Sequence, residues 1–473
     1  MKLRLAALAT LLFALHCGSD DKKPAGTCTM EEVGTMGSCG DGMVCEEVTG
    51  GAPTCFAAVN VEGRIFDSAD DSGIEGASIV ALDANGSALS SVVFSGADGE
   101  YSLPVPVPRK GDGTPSDLAI TLRVAADGYQ SFPTPPRTAL PIQLADAVQG
   151  ETDPNAKKDA PPPPYVVMNA ATDVALIALV DQSGEGIIKG HVDFADAGGV
   201  LIVAEVNGMA VSTAITDADG NFTIFNLPPG DVTLSGFRSG VAVDSQTVTA
   251  TSGTVDKIVL SASAKGLSTV TGSVQIVDPG DCKDTSVILV VESTFVENAA
   301  RGEAPAGLRA GNVTGEFSIE GVPPGRYVVL AAFENDSCVR DPDPCIAGTD
   351  ILHISVPEEA AITDAFKVTG ALAVISPGAN GIEVISDANP TFQWQDDSSE
   401  EGYELRVYDA FGTLVHEDLN VPSAKGKDPS YQLTGVNLEP GMIYQFRTWS
   451  WRKAERCLIS STEDLKGVFL YQP

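Results

Sequence analysis

The sequence predicts an all-β protein, in which tandem β-sandwich modules stand in a row behind a signal peptide and a small disulfide-rich segment. Short apolar stretches recur with turn residues between them, helical periodicity is nearly absent, and one pattern appears three times along the chain. With 473 residues, the chain is too long for one core. Its 48 Gly and 30 Pro fit many strands joined by tight turns.

The charge balance argues against nucleic acid as a partner. The chain carries 64 acidic and 29 basic residues, a formal net charge of −35, and has no Lys/Arg cluster to offset it. Such a surface repels phosphate backbones. An acidic coat that keeps an exported protein dispersed is favoured over a specific cationic ligand.

The first residues, 1–17, have the organisation of a signal peptide. Lys2 and Arg4 form a basic start, and an uninterrupted apolar run covers 5–15. That run is too short to span a bilayer, which takes about 20 residues. We therefore expect the protein to be exported.

Cys17 directly follows the apolar run, and 18–27 form a polar tether. This arrangement resembles a bacterial lipoprotein signal, although Ala14 and His16 depart from the usual residues before the cysteine. The resemblance implies that Cys17 is diacylated, becomes the mature N-terminus and attaches the protein to a membrane. Without Asp after the cysteine, the expected location is the outer membrane or cell surface. The alternative is an ordinary secretory signal cleaved nearby.

The cysteine count agrees with lipidation of Cys17. Of nine cysteines, removal of Cys17 leaves an even set of eight, expected to form disulfides in an exported protein. Half of them fall within 28–56, which has few apolar residues and no Cys-x-x-Cys pair, so disulfides are favoured there over zinc. The connectivity stays open. The eight are Cys28, Cys39, Cys45, Cys55, Cys282, Cys338, Cys345 and Cys457.

A repeated pattern joins a turn glycine to an aromatic residue two positions later. Gly220 precedes Phe222, and Gly315 precedes Phe317; in both copies a Pro-Pro-Gly follows. A degenerate third copy has Gly99 before Tyr101. We expect each glycine to supply the positive φ of a hairpin turn and each aromatic side chain to enter the core.

The rest of each copy defines three modules. Each opens with a strand that ends in Gly and closes with an acidic turn and an apolar strand. The modules cover 58–182, 186–263 and 268–372, here called modules 1, 2 and 3. Apolar stretches such as 78–82 and 200–203 are interpreted as alternating strands, and the Pro-rich 150–165 as a long loop inside module 1.

Modules 1 to 3 resemble the carboxypeptidase regulatory-like, or transthyretin-like, β-sandwich family. The resemblance rests on the turn-Gly–aromatic and Pro-Pro-Gly pattern over about 60–370. It implies non-catalytic modules of surface or secreted proteins, classed with carbohydrate-binding-like sandwiches.

Residues 374–473, here called module 4, break the repeat. Trp394, the strand around Tyr403 and the run Leu-Glu-Pro-Gly-Met-Ile-Tyr-Gln-Phe-Arg at 438–447 resemble a fibronectin type III module. The resemblance implies that Trp394 packs the core and that Tyr444 bonds to upstream backbone. The chain after Arg452 departs from that pattern.

No motif for catalysis, metal binding or a cofactor stands out. None of His16, His191, His353 and His416 lies in a metalloprotease or nucleophile-elbow context, and phosphate-cradling and dinucleotide motifs are missing. The acidic stretch at 217–221 is interpreted as a turn rather than a calcium loop, because it lacks the distal Glu. We expect no catalytic residue, no metal and no cofactor.

The candidate ligand platform consists of Arg447, Trp449 and Trp451. If Tyr444 and Phe446 face the core, strand alternation turns these three outward, where they would bind a sugar ring or a protein partner; the alternatives are that they cover a neighbouring module or that the register slips. The leading hypothesis is a structural, adhesive or protein-interaction surface scaffold. The second is a surface lipoprotein that binds cell-wall or extracellular polysaccharide.

Overall fold

The computed structural model describes residues 26, 28–34, 39, 43–151, 162–180, 185–331, 336–340, 351–453 and 456–473. It confirms the all-β prediction: the described secondary structure is strands and short 3-10 helices. The signal peptide, Cys17 and the tether apart from Gly26 lie outside the described residues, as does Cys345. Among the helices of the described part, none is long and apolar enough to cross a membrane.

The disulfide-rich segment forms a small hairpin that is docked on module 1. A 3-10 helix (Met30–Glu32) precedes the antiparallel strands β1 (Met43–Glu46) and β2 (Thr54–Ala57). Glu46 and Arg109 of module 1 form a salt bridge, and each side chain is only 1% exposed. The Arg109 guanidinium carbon also lies 4.8 Å from the centre of the Phe56 ring. The segment is therefore an extension of module 1.

Module 1 folds into two sheets, one centred on β3 and the other ordered β5-β4-β7-β8. Strand β3 pairs antiparallel with β6 and parallel with β10 and β11, and β9 pairs with β10. Since Gln149 and Tyr165 are paired, the described residues on either side of the Pro-rich stretch lie next to each other in the sheet of module 1. The strands are β3 (Val59–Asp67), β4 (Ser78–Leu82), β5 (Val93–Phe94), β6 (Glu100–Val105), β7 (Ala119–Ala125), β8 (Ile142–Gln143), β9 (Val148–Gln149), β10 (Tyr165–Val167) and β11 (Val174–Leu176), with 3-10 helices at Leu144–Asp146 and Ala170–Thr172.

Module 2 repeats this plan with shorter connections. One sheet has the order β15-β12-β19, and the other runs β14-β13-β16-β17 with β18 also paired to β16. Its core includes Ile188, Ile202, Ile224 and Leu234, each fully buried. The strands are β12 (Gly186–Asp193), β13 (Leu201–Val206), β14 (Met209–Ile215), β15 (Asn221–Leu227), β16 (Gly230–Arg238), β17 (Val241–Ala242), β18 (Gln246–Ala250) and β19 (Thr254–Ser261).

Module 3 has two four-stranded sheets, ordered β23-β20-β27-β25 and β22-β21-β24-β26. Short 3-10 helices at Glu292–Thr294 and Glu297–Ala299 follow β21. The strands are β20 (Ser268–Val277), β21 (Thr285–Val291), β22 (Arg309–Val313), β23 (Glu316–Val322), β24 (Gly325–Ala331), β25 (Cys338–Arg340), β26 (Leu352–Val356) and β27 (Phe366–Gly370).

Module 4 pairs a small sheet, β28-β30-β33, with a large one, β29-β36-β34-β31-β32, in which β35 also pairs with β34. Between the two sheets, the Phe392 ring stacks on Phe446 at 4.6 Å, and Trp394 is fully buried. The strands are β28 (Val374–Ser376), β29 (Glu383–Ile385), β30 (Thr391–Trp394), β31 (Gly402–Asp409), β32 (Leu414–Pro422), β33 (Ser430–Gln432), β34 (Ile443–Arg452), β35 (Cys457–Ser461) and β36 (Val468–Tyr471).

In modules 1 to 3, the glycine of the opening strand faces the repeated aromatic residue. Gly63, Gly190 and Gly272 are paired with Tyr101, Phe222 and Phe317. A Cβ on Gly190 would lie 2.3 Å from Cζ of Phe222, and one on Gly272 would lie 2.7 Å from Cζ of Phe317. In modules 2 and 3 the ring thus occupies the place of the missing side chain, which links two parts of the repeat that stand far apart in sequence.

The turn prediction is correct for two copies and wrong for the third. Gly99 and Gly220 have φ of 79° and 84°, but Gly315 has no positive φ. The connection between β22 and β23 is only the two residues 314 and 315, and the nearby left-handed residue is Asn312, within β22, with φ of 54°. In this copy, with its shorter turn, the left-handed backbone conformation therefore occurs at Asn312 and not at the repeated glycine.

The prediction of alternating strands is wrong for the apolar stretches in β4 and β13, because buried and exposed residues do not alternate there. Four consecutive residues of each are buried. In β13, Ile202 belongs to the core of module 2, whereas Leu201 and Val203 pack with module 3. Continuous apolar runs are typical of strands covered on both faces.

These doubly covered sheets bring the modules together. Val80 of module 1 shares one apolar cluster with Phe237 of module 2 and Tyr327 of module 3, and Ile443 of module 4 belongs to the cluster of module 1. The modules follow one another along the chain, as predicted, but in space they fold back so that the first touches the last.

Candidate functional site

Strand β34 sets the geometry of the predicted platform. Tyr444 and Phe446 are buried in the core of module 4, and Arg447, Trp449 and Trp451 lie on the opposite face, as strand alternation predicted. Both tryptophans are partly buried rather than freely exposed. The register therefore agrees with the prediction, while the exposure is lower than expected.

Arginine side chains lie against both indole rings. The guanidinium carbons of Arg406 and Arg447 are 5.0 Å and 5.1 Å from the centre of the Trp449 ring. That of Arg456 lies 4.7 Å from the Trp451 ring. These distances are within the range of cation–π attraction, so the chain's own cations occupy positions that a ligand would use.

Carboxylates in turn hold these arginines. Glu404 lies 2.9 Å from Arg456 and 3.1 Å from Arg406, and Arg406 also pairs with Glu417 at 2.8 Å. The neighbouring strands β31 and β32 therefore supply the counter-charges. We call this set of rings, guanidinium groups and carboxylates the Arg–Trp face.

Arg447 is the most enclosed cation of the Arg–Trp face. Its guanidinium pairs with Asp464 at 2.6 Å and donates to the Thr462 carbonyl at 3.0 Å, and its Nε has no hydrogen-bond partner. Burial lowers the pKa of Arg447 to about 10, which leaves it a cation at neutral pH. Through Thr462 and Asp464, Arg447 fixes the position of the loop before β36.

Module 1 covers the part of the same sheet face that contains the first residues of β34 and β36. Ile443 and Val468 are buried in the apolar cluster of module 1. The Arg137 guanidinium donates to the Phe411 carbonyl at 2.7 Å, and the Phe411 ring meets Phe66 edge-on at 5.6 Å. One end of the face is thus an interface between modules, and the Arg–Trp face lies at the other end.

The described cysteines are paired. Cys28 bonds to Cys45, Cys39 to Cys55 and Cys282 to Cys338. Cys457 is also disulfide-bonded. The sulfurs of Cys28, Cys39 and Cys55 lie within 4.8 Å of one another, but as disulfide sulfurs they are not the thiolates that bind zinc.

The acidic stretch after β14 has the hydrogen bonds of a turn. One carboxylate oxygen of Asp217 accepts from the backbone N–H groups of Asp219 and Asn221, at 3.0 and 2.8 Å. The backbone N–H of Gly220 donates to the Asp217 carbonyl at 3.0 Å. The carboxylate therefore serves its own loop, in keeping with the interpretation as a turn.

Two of the histidines make contacts between different elements of one module. Nδ1 of His353 lies 2.7 Å from a carboxylate oxygen of Glu292, and Nε2 of His416 lies 2.7 Å from the Tyr431 hydroxyl. Arg326 and His353 together hold the pKa of Glu292 below its usual range. The first contact joins β26 to a 3-10 helix within module 3, and the second joins β32 to β33 within module 4.

Sequence reasoning missed a polar junction of three modules. The Arg123 guanidinium of module 1 lies 3.0 Å from a carboxylate oxygen of Glu303 in module 3 and donates to the Thr213 carbonyl of module 2 at 3.1 Å. The Thr213 hydroxyl donates to the same Glu303 oxygen at 2.9 Å. The signal was an arginine in the middle of the apolar strand β7, where a charge needs a buried partner.

Comparisons with known proteins identify no family. No family profile and no curated protein sequence matches this chain. The solved structures it is similar to include the Bacillus anthracis TIE protein, with 11% identity, a TM-score of 0.15 and coverage of 84% of this chain and 68% of that one.

Two further structures match part of the chain. The shaft pilin spaA from Lactobacillus rhamnosus GG has 10% identity and a TM-score of 0.16, with coverage of 44% of this chain and 98% of that one. A DUF3823 family protein from Bacteroides ovatus has 11% identity and a TM-score of 0.19, with coverage of 43% and 99%. At these values we base no functional argument on the similarity.

Proposed function

We propose that this protein is a lipid-anchored cell-surface protein whose β-sandwich modules form a non-catalytic scaffold for contact with another surface protein. Paired cysteines carry the proposal. Disulfides in the N-terminal segment and in module 3 indicate an oxidising compartment outside the cytosol. The signal peptide provides the route, and Cys17, placed at its end, provides the anchor.

The packing of the sheets supports a scaffold rather than an enzyme. Strands such as β13 and β21 are buried along both faces, so much of the sheet area serves contacts within and between modules. We read modules 1 to 3 as carboxypeptidase regulatory-like and module 4 as fibronectin type III-like. Both module types are built to present loops and sheet faces at a cell surface.

For the partner, we favour a protein over a polysaccharide. Trp449 lies against two guanidinium groups, which compete with the flat stacking of a sugar ring. Tryptophan and arginine side by side are the residue types that dominate protein–protein contacts. The Arg–Trp face also continues the sheet face on which module 1 docks, since both lie on the outer side of β34.

Lipidation is tested by expressing the full chain in a bacterium with two membranes. We expect the protein in the outer-membrane fraction, with a mature N-terminus at a diacylated Cys17 by mass spectrometry. Cys17→Ser should abolish acylation and move the protein out of that fraction, and the matched control Ser19→Ala should leave both unchanged. A mature N-terminus at any other residue would show that the signal is simply cleaved.

Adhesion is tested on the same cells. External protease should digest the protein in intact cells if it is displayed at the surface. Binding of displaying cells to candidate surface proteins should fall for Trp449→Ala/Trp451→Ala. Glycan-array binding by the soluble Cys17→Ser protein, lost in the tryptophan variant, would instead support the polysaccharide hypothesis.

A further inference from the structure

Modules 1, 2 and 3 depend on one another for burial of their sheets. On the outer face of the β13–β16 sheet of module 2, Leu201, Val203 and Phe237 are at most 8% exposed, and they pack in the cluster that contains Val80 and Tyr327. Separated from its neighbours, module 2 would expose this apolar face to water. Burial of such area is the main favourable contribution to folding.

Polar contacts fix the position of one module on the next. Besides the Arg123 junction, the side-chain amide of Asn226 donates to the carbonyls of Ala126 and Tyr129 at 3.0 and 2.8 Å, joining module 2 to module 1. The Ser286 hydroxyl donates to Asn85 at 3.0 Å, joining module 3 to module 1. Directional bonds of this kind specify one arrangement, which apolar contact alone does not.

Module 4 is held from two sides. Arg137 and Phe411 join it to module 1. The Glu463 carboxylate accepts from the Ser337 backbone N–H at 2.7 Å, and the Ser460 hydroxyl donates to the Gly370 carbonyl at 2.8 Å, joining it to module 3. Modules 1 and 3 thus each contact the other three modules.

We infer that modules 1 and 3 together are the hub of one closed body, and that Arg123, by joining three modules, keeps them in a single cooperative unfolding unit. Its side chain is only 7% exposed and Glu303 is 25% exposed, so the pair is largely shielded from water. Truncating one partner of such a pair leaves the other charge without compensation, which is strongly unfavourable. Arg123 is therefore a positioning residue for the assembly of modules.

The test combines calorimetry with small-angle X-ray scattering on the mature chain. The wild type should unfold in one transition and have a radius of gyration of roughly 22 Å, the value for a compact chain of about 450 residues. Arg123→Ala should split the transition into at least two and increase the radius. Thr213→Val keeps the ion pair but removes the hydroxyl that accepts from Arg123 and donates to Glu303, and should lower the midpoint by a few degrees without a split.

Arg64→Ala is the matched control. Arg64 belongs to the same module, but its contacts with Asp71 and with the Asp98 carbonyl stay inside module 1. Its removal should leave one transition and the same radius. Separate transitions or an extended radius in the wild type would overturn the inference, as would an Arg123→Ala protein that behaves like Arg64→Ala. If Arg123→Ala fails to fold, a split or an enlarged radius in Glu303→Gln decides for the hub, and wild-type behaviour of Glu303→Gln decides against it.

Discussion

The two faces of strand β34 both carry aromatic residues, but these are shielded from water in different ways. On the inner face, Phe446 is fully buried between the sheets and stacks on Phe392. On the outer face, Trp449 and Trp451 are partly buried and lie against arginines held by carboxylates. The inner face is closed by the fold of module 4, whereas the outer face is closed by side chains of its own sheet.

Near the C-terminal end of β34, polar residues lie on the buried face and aromatic residues on the outer face, which is the reverse of the usual arrangement. Thr448 and Ser450 are fully buried, and their hydroxyls bond to the Glu404 carbonyl at 2.8 Å and the Asp397 carboxylate at 2.6 Å. The large rings point outward at the same level. Alternation tells which residues share a face, but the hydrogen-bond partners decide which face is sealed from water.

Replacing Phe446 with Ala should have the largest effect on the comparison. The change removes a ring that contacts Phe392 and Trp394, so we expect a loss of about 3–5 kcal/mol in the free energy of unfolding. Urea denaturation followed by fluorescence measures it. A loss below about 1 kcal/mol would mean that the inner face is not the core of module 4.

The sequence was sufficient for the all-β class, the repeat and the two faces of β34, because these depend on local periodicity. It was not sufficient for the closed arrangement of the modules. The sequence predicts alternating strands at 78–82 and 200–203, whereas four consecutive buried positions in β4 and β13 serve two cores at once. The continuous apolar run indicates that a strand is covered on both faces, but which module supplies the second core is known only from the strand's neighbours in space.

For the candidate platform, the sequence predicted the direction of the side chains but not their surroundings. Arg406 comes from β31, far from Trp449 along the chain, whereas Arg456 comes from the turn before β35, close in sequence to Trp451. The approach of Arg406 depends on strand pairing: Arg406 is registered with Arg447, and Glu404 with Trp449. Cross-strand stacks of this kind are set by register, which no local pattern encodes.

The double variant Trp449→Ala/Trp451→Ala should have an intermediate effect. The rings are partly buried and each contacts at least one guanidinium group, so we expect a loss of about 2 kcal/mol, below that of Phe446→Ala. The double variant with Phe at both positions is the control, because it keeps an aromatic face and should recover part of the loss. A loss equal to that of Phe446→Ala would make the outer face a second core and remove it as a binding surface.

Tyr444→Phe should have the smallest effect. The Tyr444 ring lies in the core beside Phe469, with ring centres 5.5 Å apart, and its hydroxyl accepts a hydrogen bond from the Glu439 backbone N–H at 2.9 Å. The substitution keeps the ring and removes only that bond, and Glu439 is exposed, so water can replace the lost partner. We expect a loss of about 1 kcal/mol in the free energy of unfolding, with an unchanged dependence on urea concentration.

Tyr403→Phe is the matched comparison. The Tyr403 hydroxyl donates to Asp396 at 3.1 Å and accepts from the Asp397 N–H at 3.0 Å, so its removal should cost more. If the two substitutions lower the free energy of unfolding equally, the bond to Glu439 is stronger than the exposure of Glu439 indicates. The inner face of β34 then depends on the Tyr444–Glu439 hydrogen bond as well as on its aromatic rings.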